Sequence, residues 1–183
     1  VSGMTVSSLR ATFAAALRKS KPQTAAAAPQ MAEDETEYTL WRIVQQEGSS
    51  AAGLAIWMCW KLAMQPGEVA ALTWDQVDFE TGNLILPERT VPMEESTAKC
   101  LADRYANYGA ISSRVVIADR GKKPMTMENV SRLAKNALDS EGQDVALKDL
   151  RRDWIRRQVE GKGWAYAARV SGMTVSSLRA TFA

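Results

Sequence analysis

The sequence predicts a mainly α fold with a small antiparallel β-sheet (α+β). Apolar residues return at helical spacing over most of the 183 residues. Period-two alternation is confined to "VDFETGNLIL", folded about a Thr-Gly-Asn turn, with "RTVPM" as one further short strand. The long apolar run "AAGLAIWMCWKLAM" (Ala51 to Met64) falls short of the ~20 residues a bilayer needs, so it reads as a buried core helix.

The elements follow in order. Leu40, Trp41 and Val44 start a helical pattern that runs to Gly48, and Ser49 or Ser50 can cap the apolar helix after it. Trp57 and Trp60 sit on adjacent turns as core. Pro66 suits a first helical turn, Glu68 favours the positive end of that helix dipole, and the helix is expected to end near Trp74. After the hairpin, Pro92 marks the exposed end of the next strand. Residues 94–108 return to helical period with Leu101 and Tyr105. "RVVIAD" reads as a compact buried strand and "RGKKPM" as a turn. Thr126 caps a helix that Gly142 stops. "LKDLRRDWIRRQVEGKG" and "WAYAARVSG" supply two further helices.

Composition narrows the function. Hydrophobic residues make up 46% and charged residues 24%, as in a soluble globular protein. With 23 Lys and Arg against 21 Asp and Glu, the net charge is +2, so affinity for nucleic acid must come from a local patch. No histidine is present, which excludes a His-based triad or a zinc-hydrolase site. No metal or cofactor is expected. Cys59 and Cys100 lack motif spacing and read as free thiols of a reducing compartment. No signal peptide or membrane association is expected, and the expected location is cytoplasmic.

Val1–Ala14 and Val170–Ala183 are the same fourteen residues, "VSGMTVSSLRATFA". The first copy runs on into "AALRKSKPQTAAAAPQ", a tail-like linker, and Met31 looks like a native start. The expected organisation is a duplicated or permuted C-terminal tail and linker over 1–30, followed by a core domain over 31–183. A permutation, a duplication and a neighbour's exchanged tail all fit this pattern.

Four pieces in order carry a resemblance: "QPGEVAALTWDQVDFETGNL", "RTVPM", "KDLRR" and "SGMTVSSLRATF". From about Tyr38 onward the chain resembles the catalytic domain of tyrosine recombinases, or phage integrases. That family attacks a DNA phosphodiester with a tyrosine hydroxyl and balances the charge with two arginines, a lysine and two histidine-type donors. On this resemblance the first arginine falls on Gln65, the histidines on Lys148 and Met173, and the tyrosine on Phe182. The hairpin lysine has no counterpart, and only Arg151 survives. The resemblance therefore implies a pseudo-enzyme without strand-cutting activity. Tyr166 lies a helix earlier, where the family has packing residues.

Phosphate binding needs cations but no nucleophile. Lys148, Arg152 and Arg156 recur every four residues on one helical face, flanked by Arg151, and Lys122 and Lys123 add a basic turn with Arg120. The functional reading is weak, backbone-mediated binding of double-stranded DNA, lost steeply with salt. Against it stands a solvated face beside Asp149 and Asp153, with Arg151 in a structural ion pair. A competing reading is self-association through the tail segment, with Val6, Leu9, Phe13 and Leu17 as helical anchors.

Overall fold

Ala51–Leu62 (α1) is apolar on every side except Lys61, and a helix of that kind must be enclosed. In the computed structural model it is the buried axis of the domain. The structure describes Thr39, Leu40, Arg42 to Val44 and residues 50–183. The first five are helical, with Leu40, Ile43 and Val44 buried in the core. Residues 1–38 lie outside the described residues, and with them Val6, Leu9, Phe13 and Leu17.

Ser50 caps α1, its Oγ accepting from Gly53 N–H at 3.0 Å, and Asp119 Oδ1 accepts from Ala51 N–H at 3.1 Å. A carboxylate there faces the positive end of the helix dipole. At the far end Ala63 turns left-handed at φ 53, which breaks the helix and redirects its last carbonyls.

Pro66–Ala71 (α2) follows, then a 3₁₀ turn over Trp74–Gln76 and three short strands: Val77–Asp78 (β1), Asn83–Leu86 (β2) and Arg89–Pro92 (β3). They form one antiparallel sheet in the order β1-β2-β3, with Val77 opposite Leu84 and Leu84 opposite Val91. Asp78 Oδ1 accepts from the N–H groups of Glu80 and Thr81, and Gly82 supplies the φ of 70 that closes the turn. Beyond the sheet come Glu95–Tyr108 (α3), Met127–Ser140 (α4), Leu147–Lys162 (α5), Trp164–Ser171 (α6) and Val175–Phe182 (α7). The mainly helical α+β class is therefore as expected.

The core has two parts. The larger surrounds α1, which packs on α4 and α5 and carries Trp57 and Trp60 edge-to-face at 6.4 Å. Trp57 Nε1–H finds Thr97 Oγ1 at 2.7 Å, so burial leaves no orphan donor there. The smaller joins Ala63, Ile155, Ala167 and Leu178 beneath α6 and α7.

Two expectations are corrected. α2 stops at Ala71 instead of near Trp74, because Trp74 N–H goes to Ser113 O and Thr73 N–H to Gln76 Oε1. "RVVIAD" buries Val115, Val116 and Ile117 but forms no strand: it makes only single bridges, Thr73 with Arg114 and Ile117 with Pro124. Its Val115 and Ile117 carbonyls accept instead from the buried Arg104 guanidinium, at 3.0 and 3.5 Å. A side chain replaces the sheet ladder as their partner.

Candidate nucleic-acid interface

Arg151 stands in the second turn of α5 and reaches back to α1. Its Nε–H donates to Ala63 O at 2.8 Å and its Nη2 to Ser171 O at 3.0 Å. Ala63 ends α1 and Ser171 ends α6, so one guanidinium gathers the negative ends of two helix dipoles. Among the described residues no carboxylate lies within ion-pair distance of it, so the structural ion pair considered for Arg151 is absent there. Burial pulls its pKa down, and the neighbouring Arg89 adds to that pull, while Glu68 opposes both.

Arg89 is the residue that the sequence reading missed. It enters from β3 and grips Glu68 with both terminal nitrogens, Nη1 to Oε1 at 2.5 Å and Nη2 to Oε2 at 2.8 Å. The same Nη2 lies 3.4 Å from Ala63 O, so both arginines share that carbonyl. Glu68 Oε2 also accepts from Gln65 N–H at 2.7 Å, which closes the first turn of α2. Gly172, at φ 72, backs the guanidinium; a Cβ there would stand 3.2 Å from Arg89 Nη1. The signal was available in the strand alternation, which places Arg89 on the inward face with the buried Val91.

The other expected positions do not converge on one place. Gln65 is exposed at the start of α2. Met173 and Phe182 pack against the smaller apolar cluster. Arg152 and Arg156 line an open cavity of about 420 Å³ beside Phe182, and the Arg152 guanidinium lies 5.8 Å from that ring. Lys148 is exposed on the first turn of α5. Arg156 is paired with Asp153 at 2.6 Å and more distantly with Glu160, and Arg157 also reaches Asp153 at 2.8 Å. The α5 face is therefore locally compensated at Arg156.

Lys122 and Lys123 belong to a turn anchored elsewhere. Lys122 takes a left-handed φ of 51, donates to Asp119 O at 2.7 Å and sits 4.5 Å over the Tyr108 ring. Asp119 is bonded to Ala51, the first residue of α1, whereas Arg151 is bonded to Ala63 at its other end. Twelve helical rises, about 18 Å, separate those two anchors. Tyr166 is half-buried on α6, with Lys162 and Arg169 at 4.6 and 5.2 Å from its ring. Among the described residues no three Cys, Asp or Glu side chains converge to hold a metal, and no helix is long and apolar enough to cross a membrane.

No family model and no curated protein matches this chain. Solved structures do. The Tn1549 transposon integrase in complex with transposon right end DNA superposes with a TM-score of 0.69 at 14% identity, over 97% of this chain and 72% of that one. XerA recombinase gives 0.66 at 16% identity over 87% of this chain, and this chain spans 60% of its length. The lambda integrase catalytic core gives 0.56 at 16% identity, covering 73% of this chain and 87% of that one. The fold of this chain is that of a tyrosine recombinase catalytic domain.

Proposed function

We propose that this chain is a DNA-associated protein that grips the duplex backbone without cutting it. The observation that carries this reading is Arg151: a half-buried cation whose donors meet carbonyl dipoles, with no carboxylate in direct ion-pair contact among the described residues. A charge held that way is most favourable with an anion beside it, and a phosphodiester oxygen of duplex DNA supplies one. The similar Tn1549 and lambda integrases are described in complex with DNA. The basic turn at Lys122 and Lys123, with Lys148 and Arg152 on α5, adds contacts along the backbone.

Inactivity rests on side-chain chemistry. Phe182 has no oxygen to attack phosphorus, Met173 donates no hydrogen bond, and Gln65 brings no charge. Each such group is typically worth orders of magnitude in rate. Equilibrium binding of duplex DNA across a salt series tests the reading. Arg151→Gln should flatten the logarithmic salt slope by about 0.9, one phosphate contact. Superimposable lines for the two proteins would remove it.

A second reading has its own observation, the letter-for-letter repeat. Val170–Ala183 holds a defined seat: Ser171 O receives Arg151, Thr174 caps α7 through Ser177 N–H at 3.1 Å, and Leu178 is fully buried. Val1–Ala14 carries every side chain that this seat requires, so exchange of the repeated segment between copies is chemically permitted. On this reading residues 1–30 are the duplicated or permuted tail of a core spanning 31–183. Leu178→Asp alone should then leave a folded, self-associating protein, whereas Leu9→Asp with Leu178→Asp should lose cooperative melting. Equal collapse of the single and double variants would exclude exchange.

A further inference from the structure

Two guanidiniums, Arg89 and Arg151, converge on the Ala63 carbonyl, with one carboxylate, Glu68, beside them. Which arginine the carboxylate serves decides where the surplus charge lies. Resting on the phosphate-binding reading of Arg151, we propose that Arg89 is a positioning residue: it holds Glu68 away from Arg151 and so leaves Arg151 free for a phosphodiester oxygen.

The geometry supports a deliberate capture. Both Glu68 oxygens are occupied, Oε1 by Arg89 Nη1 and Oε2 by Arg89 Nη2 and by Gln65 N–H. A planar guanidinium matches a carboxylate in this bidentate fashion, which fixes orientation as well as charge. The Arg89 side chain is only 5% exposed, against 26% for Glu68, so the cation is the more deeply buried partner. Gly172 and the Ala63 carbonyl hold Arg89 from two further sides. Its Nε–H is buried without a partner, an unmet donor that the protein retains while both terminal nitrogens serve Glu68. Glu68 already acts electrostatically on Arg151. Once released from Arg89, it would be free to pair with Arg151.

The test uses the full chain, a duplex oligonucleotide and a salt series, with thermal melting measured on every variant. Arg89→Gln should lose the same salt-dependent contact as Arg151→Gln, although Arg151 itself is intact. Adding Glu68→Gln to Arg89→Gln should restore the slope to the wild-type value, because no carboxylate is left to neutralise Arg151. Glu68→Gln alone should bind at least as tightly as wild type. A merely structural Arg89 would give no such rescue: a double variant as weak as Arg89→Gln overturns the proposal while leaving the phosphate reading standing. If Arg151→Gln binds as wild type does, the phosphate reading fails first and the role of Arg89 falls with it.

Discussion

Arg151 donates to the carbonyl of Ala63, 88 residues earlier in the chain, at 2.8 Å. The bond ties the end of α1 to α5, and the second donor of Arg151 ties both to the end of α6. The left-handed turn at Ala63 is what aims that carbonyl at the guanidinium, so backbone geometry and site electrostatics depend on each other.

Arg151→Lys should be destabilised even though its charge is kept. An ammonium on a flexible stem does not span two carbonyls as a planar fork does, and a hydrogen bond to a charged group is worth about 1.5–3 kcal/mol. Denaturant unfolding should show a loss of about 2 kcal/mol; an unchanged midpoint would mean that the two carbonyls are satisfied without the fork.

Gly172→Ala should cost more than an ordinary glycine replacement. Its φ of 72 penalises any Cβ by about 1–2 kcal/mol, and the added methyl would press on Arg89 Nη1. We expect a lower melting temperature together with weaker DNA binding. Gly142→Ala, also at positive φ but with open space around it, should lower only the melting temperature.

Arg104→Met should destabilise by about 2–4 kcal/mol. The substitution keeps much of the buried stem but strips the Val115 and Ile117 carbonyls of their donor, and an unpaired buried polar group costs about 1–3 kcal/mol. Calorimetry on the variant checks this, and a neutral result would mean that the 115–117 segment re-pairs elsewhere.

Cys59 should be inert toward alkylation in the folded state. Burial pushes its thiol up to about 12, with Arg151 opposing and Glu68 assisting, and the thiolate is the reactive form. The sign follows from the raised folded-state pKa: nothing is lost below the unfolded value near 9, and stability falls as pH climbs from there toward 12. Cys59→Ala should make that alkaline decline shallower. Rapid labelling of native Cys59 at neutral pH would contradict the burial.

Much of this was legible in the sequence. The apolar α1, the Thr-Gly-Asn hairpin and the Thr126 cap were readable because each rests on local patterning, and the family resemblance supplied the order of the pieces. The strand expected at "RVVIAD" failed for a non-local reason: periodicity reports burial, and a burial pattern does not reveal that Arg104 takes the carbonyls. Arg89 stands outside the positions that the resemblance singles out, and its partner is a carboxylate 21 residues away, a pairing that local patterning does not reveal. The Lys122 turn looked continuous with the α5 patch in a list of charges, yet it is anchored at the opposite end of α1.

The most direct measurement is the reversibility of binding to a nicked suicide duplex, a substrate that traps any tyrosyl linkage. We expect a low-salt complex that dissociates completely when salt is raised, with no protein-linked DNA on a denaturing gel. A fraction of DNA that survives both salt and denaturant, attached to Tyr166 or to any other residue, would contradict the account.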